Sequence, residues 1–587
     1  MSEQENLEEL KTQDCPEDAE NTASEASKEK KAPRRKGKVG KIILTVVCVL
    51  LTIVMLIAAP LIVEAYKYWY LETDTGINPV DTHLTTEQKL KDLDYMYDVV
   101  CLQNPAKEEF EKAYGIKYED VYNKYKDLVV NSKDEYEFFC YMASFLSDLP
   151  GEHNMMKVPS YAKTAQKAGF SVQEIYAPQK VKDYAAAWNE EFRDDVESYL
   201  KYSLVAFRYV DGKYYGLVPD SDKIKFVSDY ENGEILTIDG KDPKDVVFDL
   251  FDLQVPLYDE GNNCAFRSKL FFNDGVGVKH TVEIRLADGS VVTTELYDDA
   301  RYDSAFYAGM TIYPEMLLGK SSQDTETKPD VMSDEYEPTS YKIYKDPARK
   351  LVYIDSSSCN SSEGERLVRD LTQALEEVDA ETVILDIRSN SGGEIYFTHK
   401  QLLPVLFSHD VKFMPEAVGK KNAYTRMFYN SMINRFTMFK SLRFQGDYYY
   451  YSEDYSVKGQ AKKNYKIYLL TGKATFSSGD IITCLCKEYD NCTVVGTATG
   501  GEGICGSICN CVLPESKFMF IFCPTVGVNA AADSYSGTYP DVYIHYTADE
   551  YFKKVELKKQ VDDPETYEVR QKWDKTLQYV LGEVDNK

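Results

Sequence analysis

Histidine and tryptophan are scarce in this chain, with six and three residues among 587. None of its 13 cysteines stands in a C-x-x-C pair. Few imidazoles and no paired thiols argue against a metal centre. Positive charge is also in deficit, since 68 Lys and Arg face 96 Asp and Glu, for a net charge of −28. So acidic a surface repels phosphate backbones and excludes nucleic acid as a partner. No internal repeat is evident. Apolar material, by contrast, is plentiful: 43% of residues are hydrophobic and 13% aromatic, including 47 Tyr. The length exceeds what one hydrophobic core supports, so two to four domains are expected.

Residues 1–41 hold ten acids and nine bases and read as a disordered tail. The 22 positions from Ile42 to Val63 then carry no charge at all. At about 1.5 Å per residue such a helix crosses the ~30 Å hydrocarbon layer. Eight Lys or Arg stand just before it, against one Glu, and Tyr66, Tyr68, Trp69 and Tyr70 follow as an interfacial belt. The positive-inside rule keeps the N-terminus cytoplasmic and puts residues 65–587 outside, in the cell-membrane topology of a single-pass protein. A signal peptide cleaved near Ala65 is the alternative, with an unusually long apolar region for that role.

Seven cysteines, from Cys484 to Cys523, crowd into forty residues. On an exported chain they read as disulfides or, on the apolar stretches IITCLCKEY and FIFC, as buried thiols, and least well as a metal site.

Apolar residues three and four apart predict a helical region over 82–165, which contains Pro150-Gly151-Glu152-His153. Residues 200–318 change to short alternating strands with Asp-Gly turns at 211–212, 239–240 and 288–289, a pattern whose shape is PDZ-like. A linker at 319–340 follows. From 341 to 548 strands alternate with helices, LVYIDSS, GERLVRDLTQALEEV, TVILDIR and onward, which predicts an α/β domain. Residues 549–587 end in a helix read from Asp563-Pro564 to Gly582, with Asp at the N-cap and Gly past the end.

Two loops of the α/β domain hold the chemistry. The first, Val383-Ile-Leu-Asp386-Ile-Arg388-Ser-Asn390-Ser-Gly392-Gly393, ends a strand in two glycines that permit close backbone approach. An ordinary βα turn would look the same. The second, Thr471-Gly-Lys-Ala-Thr-Phe-Ser477-Ser478-Gly479-Asp480, runs from a strand into a helix. Ser477 and Asp480 match a capping box as well as a nucleophile turn.

In this order, and about ninety residues apart, the loops resemble those of the C-terminal-processing (tail-specific) serine peptidases. That family carries L-D-x-R-x-N-x-G-G and later S-x-x-E/D on an α/β domain, and Tyr539-Pro540-Asp541 matches its late Pro-Asp element. The resemblance covers 341–546 well and 82–165 loosely. It implies a crotonase-like α/β protease domain, an N-terminal helical region, a small PDZ-like β domain and Ser477 as nucleophile.

One branch of the family pairs its serine with a lysine in G-x-x-T-x-G-K-G. Here Glu502 stands at that lysine, in Gly496-Thr-Ala-Thr-Gly-Gly-Glu502-Gly503, and a carboxylate cannot replace an amine base. The branch similar to the tricorn protease takes its base from a histidine near the end of the helical region, which points to His153. The resemblance then implies an oxyanion hole from the Ser478 N–H and that of Gly392 or Gly393. An acid orienting His153 remains open between Asp533 and Glu502. The expected activity is peptide-bond hydrolysis on protein or peptide substrates, without metal or cofactor. A catalytically silent, peptide- or ligand-binding member of the same family is the rival.

Overall fold

The computed structural model describes residues 45–49, 52, 70–71, 81–151, 153–157, 183–184, 186–188, 191, 206–216, 232–246, 256–267, 269–271, 279–297, 340–421, 441–504, 509–528, 532–533, 537–561 and 563–586. The chain falls into two compact units, Met1–Pro60 and Leu61–Lys587. Of the expected 42–63 span, residues 45–49 and 52 are described, all helical, and the remainder lies outside the described residues. Among the described residues no helix is long and apolar enough to cross a membrane. From the expected aromatic belt Tyr70 is described, and it is a strand residue paired in parallel with Asn510. That pairing ties Tyr70 to a sheet of the second unit.

Four helices open the second unit: α1 (Thr86–Tyr97), α2 (Lys107–Tyr114), α3 (Tyr118–Val130) and α4 (Glu135–Ser147). Thr85 and Gln88 form a reciprocal capping box on α1, and the Asp134 carboxylate caps α4 through Glu137 N–H at 2.7 Å. Their apolar faces bury Leu93, Tyr125, Phe138 and Phe145. Phe518, Phe520 and Phe522, from the chain around the antiparallel strands Cys509–Val512 and Met519–Phe522, complete that core. The part of the expected helical region beyond Lys157 lies outside the described residues.

The β-rich segment forms one antiparallel sheet from β1 (Ala206–Val210), β2 (Lys213–Gly216), β3 (Glu234–Ile238), β4 (Lys269–Phe271), β5 (Lys279–Arg285) and β6 (Val291–Tyr297), in the order 6-5-3-2-1-4. Asp211 and Gly212 both have positive φ, 48° and 80°, as a two-residue hairpin turn requires. After the 239–240 turn residues 243–246 form turns, and residues 247–255 lie outside the described residues.

The α/β domain is built on β7 (Tyr341–Asp346), β8 (Leu351–Ser356), β9 (Thr382–Asp386), β10 (Lys466–Thr471), β11 (Cys492–Gly496) and β12 (Val542–Tyr543), side by side in chain order. β7 is antiparallel to β8 and every other pair is parallel. The crossover helices α5 (Gly364–Glu377) and α6 (Ser478–Lys487) pack on one face, as right-handed connections in a one-way strand order demand. Three more helices, α7 (Ala548–Lys559), α8 (Tyr567–Trp573) and α9 (Lys575–Asp585), close the chain, and α8 and α9 cover the opposite face. Covering on both sides explains why β9 reads as an unbroken apolar run: Val383 and Leu385 face α5 and α6, whereas Ile384 meets Leu577 and Val580.

The C-terminal segment corrects the single Asp563–Gly582 helix. It breaks at Asp574, whose carboxylate caps α9 through Thr576 and Leu577 N–H while pairing with Arg388, and Gly582 lies inside α9. Cys48, Cys101, Cys140, Cys264, Cys359, Cys484, Cys486, Cys492, Cys511 and Cys523 are free thiols, with Cys484, Cys486 and Cys511 buried.

Candidate active site

Asp386, at the end of β9, anchors the first loop. It accepts hydrogen bonds from Arg388 Nε (3.0 Å), Arg570 Nη1 (2.8 Å) and the Tyr353 hydroxyl (2.6 Å). Burial alone would raise its pKa, but the Arg388 and Arg570 charges outweigh burial and hold it down at about 2. Asn390, fully buried, donates to Ser356 O (3.1 Å) and accepts from Gly392 N–H (2.9 Å), which curls the chain into the Gly-Gly turn. Gly392 and Gly393 have φ of +100° and +131°. A Cβ on Gly392 would sit 2.7 Å from Ser477 Cβ, and one on Gly393 2.5 Å from Cys359 O. Glycine is therefore a steric requirement at both positions.

Ser477 stands on the turn from β10 to α6 with φ 54° and ψ −122°, a strained conformation for a residue with a Cβ. Its amide donates to Gly501 O at 3.0 Å. Its side chain makes no capping hydrogen bond, so the capping box does not form. Asp480 acts across the loop instead, accepting from Thr499 Oγ1 (2.6 Å) and Gly503 N–H (3.1 Å). Burial raises the Asp480 pKa against those hydrogen bonds.

His153 follows α4 after a short turn. Upstream of it, Asp148 is buried between Lys124 Nζ (3.0 Å), the Tyr125 hydroxyl (2.7 Å) and Arg267 Nη2 (2.5 Å), which fixes the end of that helix. Downstream, Met155–Met156 pairs with Phe520–Ile521. His153 is 7% exposed, and its imidazole lies against the Phe476 ring at 4.7 Å. Nε2 is 3.1 Å from Ser477 Oγ, and Nδ1 is 2.7 Å from Glu502 Oε2. The same Glu502 oxygen accepts the His153 backbone N–H at 3.1 Å.

Five residues singled out from the sequence thus converge. Ser477 and His153 touch, and Ser478, Gly392 and Gly393 surround Ser477. The three candidate oxyanion donors differ in standing. Gly392 N–H is engaged by Asn390, whereas Gly393 N–H and Ser478 N–H have no partner among the described residues. Ser478 Oγ donates to Gly393 O at 2.7 Å, which orients that glycine's peptide. Of the two candidate acids, Glu502 is the one against His153. Asp533 lies in the short strand Ala532–Asp533, paired with Gly537–Thr538. The other histidines have separate contacts: His280 with Asp239 (2.7 Å), His545 with Asp211 (3.6 Å), His399 with Ile395 O, and His409 with the Tyr489 ring. His83, Glu135 and Glu191 form the one group among the described residues with metal-ligand spacing, apart from the cysteine cluster and from Ser477. The locking of Asp148 by Arg267 went unread in the sequence, because 119 residues separate the two.

A serine hydroxyl, an imidazole and a carboxylate in series have the chemistry to act as nucleophile, base and orienting acid. The family model described as Peptidase family S41 matches residues 350–517. No curated protein matches. Among solved structures the chain is similar to mature CPAF complexed with lactacystin, with 13% identity and a TM-score of 0.43 over 86% of this chain and 99% of that one. A putative peptidase from Parabacteroides merdae aligns with 12% identity and a TM-score of 0.39, over 86% of this chain and 97% of that one. The photosystem II D1 C-terminal processing protease gives 12% and 0.32, over 79% and 94%. Residues 350–517, which contain both motif loops, carry the similarity of this chain to peptidase family S41.

Proposed function

We propose that the chain is an endopeptidase in which Ser477 attacks the scissile carbonyl, His153 takes its proton and Glu502 holds the imidazole. The observation that carries this reading is His153 bridging Ser477 and Glu502 at 3.1 and 2.7 Å. A hydroxyl is a weak nucleophile until a base within hydrogen-bond reach removes its proton, and a positioned imidazole contributes about 10²–10⁴ in rate. The Glu502 carboxylate on Nδ1 fixes the tautomer with Nε2 free to accept, then stabilises the imidazolium that forms. As the carbonyl becomes tetrahedral, its oxyanion fits the unengaged N–H groups of Ser478, at the start of α6, and Gly393. One such donor is worth roughly 2.7–4 kcal/mol. The imidazolium returns its proton to the leaving amine, and a water activated by the same base releases the acyl-enzyme.

Glu502 against His153 Nδ1 answers the choice left open between Asp533 and Glu502, and a complete serine–histidine–acid set weighs against the silent-member alternative. This fits a tricorn-like serine–histidine mechanism with the acid drawn from the position where the other branch keeps its lysine. The apolar 42–63 run behind eight basic residues supports an anchor with its N-terminus in the cytoplasm and the peptidase outside. Its substrates are then extracytoplasmic proteins or peptides, and the sheet β1–β6, read as PDZ-like, is suited to presenting their tails.

The test is peptide cleavage by Ser477→Ala, His153→Ala and Glu502→Gln. The serine and histidine variants should each lose at least about 10³-fold in kcat, and the double variant should be no worse than either. Glu502→Gln should lose about 10²–10⁴-fold through the wrong tautomer. Full activity in folded Ser477→Ala would end this reading.

A further inference from the structure

The hairpin made by the strands Leu257–Asp259 and Cys264–Phe266 touches all three catalytic segments. At its tip, Glu260 Oε1 accepts the Ala498 N–H at 2.9 Å, and Oε2 lies 2.8 Å from Lys473 Nζ. At its foot, Arg267 Nη2 donates to Asp148 Oδ1. Lys473, Asp148 and Ala498 stand four or five residues before Ser477, His153 and Glu502 respectively. The contacts are buried: Arg267 is 0% exposed, and the Glu260 and Lys473 side chains 8% and 19%. Burying these charges costs several kcal/mol each unless they are paired, so their separation is resisted.

The hairpin is in turn joined to the β1–β2 hairpin. The Tyr209 hydroxyl donates to Asp259 Oδ2 at 2.7 Å, and its ring stacks on Phe266 at 4.2 Å. The Tyr214 hydroxyl bonds both the amide and the carbonyl of Arg267. A Cβ on Gly212, in the β1–β2 turn, would sit 2.6 Å from Asn262 Oδ1. Any displacement of β1 and β2 therefore reaches the chain just upstream of each catalytic residue.

We propose that this hairpin registers the three catalytic segments against one another, with Glu260 and Arg267 as positioning residues for Ser477, His153 and Glu502. The inference rests on the peptidase reading above. A catalytic group displaced by about 1 Å loses roughly 10²-fold in rate, which sets the expected scale.

The experiment compares full-length wild type with Glu260→Ala, Lys473→Ala and the double variant. Each is read by the rate of fluorophosphonate labelling at Ser477, by kcat and KM on a peptide, and by thermal melts. Glu260→Ala should slow labelling and lower kcat in parallel, by about 10- to 10²-fold, with KM nearly unchanged. Lys473→Ala should be milder, and the double variant no slower than Glu260→Ala, since both remove one tether. A merely structural role would lower the melting temperature and leave the kcat of the folded fraction intact. Wild-type rates in folded Glu260→Ala, or fully additive losses, would overturn the proposal. If Glu260→Ala does not fold, the isosteric Glu260→Gln, which keeps the Ala498 bond, decides in its place: slower labelling at an unchanged melt supports the tether, and wild-type labelling refutes it. Failure of the wild type itself to label at Ser477 is a different outcome, and it removes the peptidase reading together with this one.

Discussion

Ser477 combines two properties that a helix cap does not need. Its backbone occupies φ 54°, ψ −122°, and its hydroxyl turns toward His153 rather than back onto α6. Such conformations cost about 1–3 kcal/mol in residues with a Cβ and persist where surroundings enforce them. Here the Ser477 amide on Gly501 O and the close approach of Gly392 do so. Ser477→Gly should therefore melt at or above the wild-type temperature while losing peptidase activity. A melt lowered by the ~1 kcal/mol typical of a lost cap would contradict the geometry. Glu502 is likewise at positive φ, 56°, and Asp480 pins the residue after it. Neither feature has a sequence signature. The motif pattern brings Ser477 and His153 to attention, but the contact of Glu502 with His153 spans 349 residues and depends on a strained loop.

At the scale of elements, the parallel sheet was legible because β8 to β11 alternate with helices whose apolar residues recur at helical spacing. The α5 face of Leu367, Leu371, Ala374 and Leu375 is one such pattern. The C-terminal break was not. Asp563-Pro564 is a strong helix-start signal, yet Asp563 adopts φ 48° and Thr566 stands at the start of α8. Asp574 ends that helix because its carboxylate serves both the α9 cap and Arg388, a half-buried partner 186 residues away. The same cluster makes acid stability predictable. Asp386 has a folded pKa of about 2, below its unfolded value near 3.8. It therefore contributes stability that is full above about pH 4 and lost as the pH falls toward 2. Unfolding followed between pH 5 and 2 should show this loss, and Asp386→Asn should be less stable at pH 7 with a flatter acid limb. An unaltered acid limb in the variant would show that other carboxylates govern it.

For the whole molecule, export and catalysis make separate claims. Cytoplasmic placement of residues 1–41 rests on the basic run before Ile42. Protease added to intact cells should degrade residues 65–587 and spare the N-terminal tail, whereas protection of the entire chain would contradict the topology. The peptidase claim rests on an assembly of distant segments. A helix end, a strand-to-helix turn and a glycine-rich loop meet over one serine, with the Leu257–Arg267 hairpin against each of their approaches. Mapping a fluorophosphonate adduct by peptide mass spectrometry tests that assembly most directly. The account predicts one phosphonylated residue, Ser477, and no adduct in folded His153→Ala. An adduct on Ser478 or elsewhere, or none on the folded wild-type protein, would contradict it.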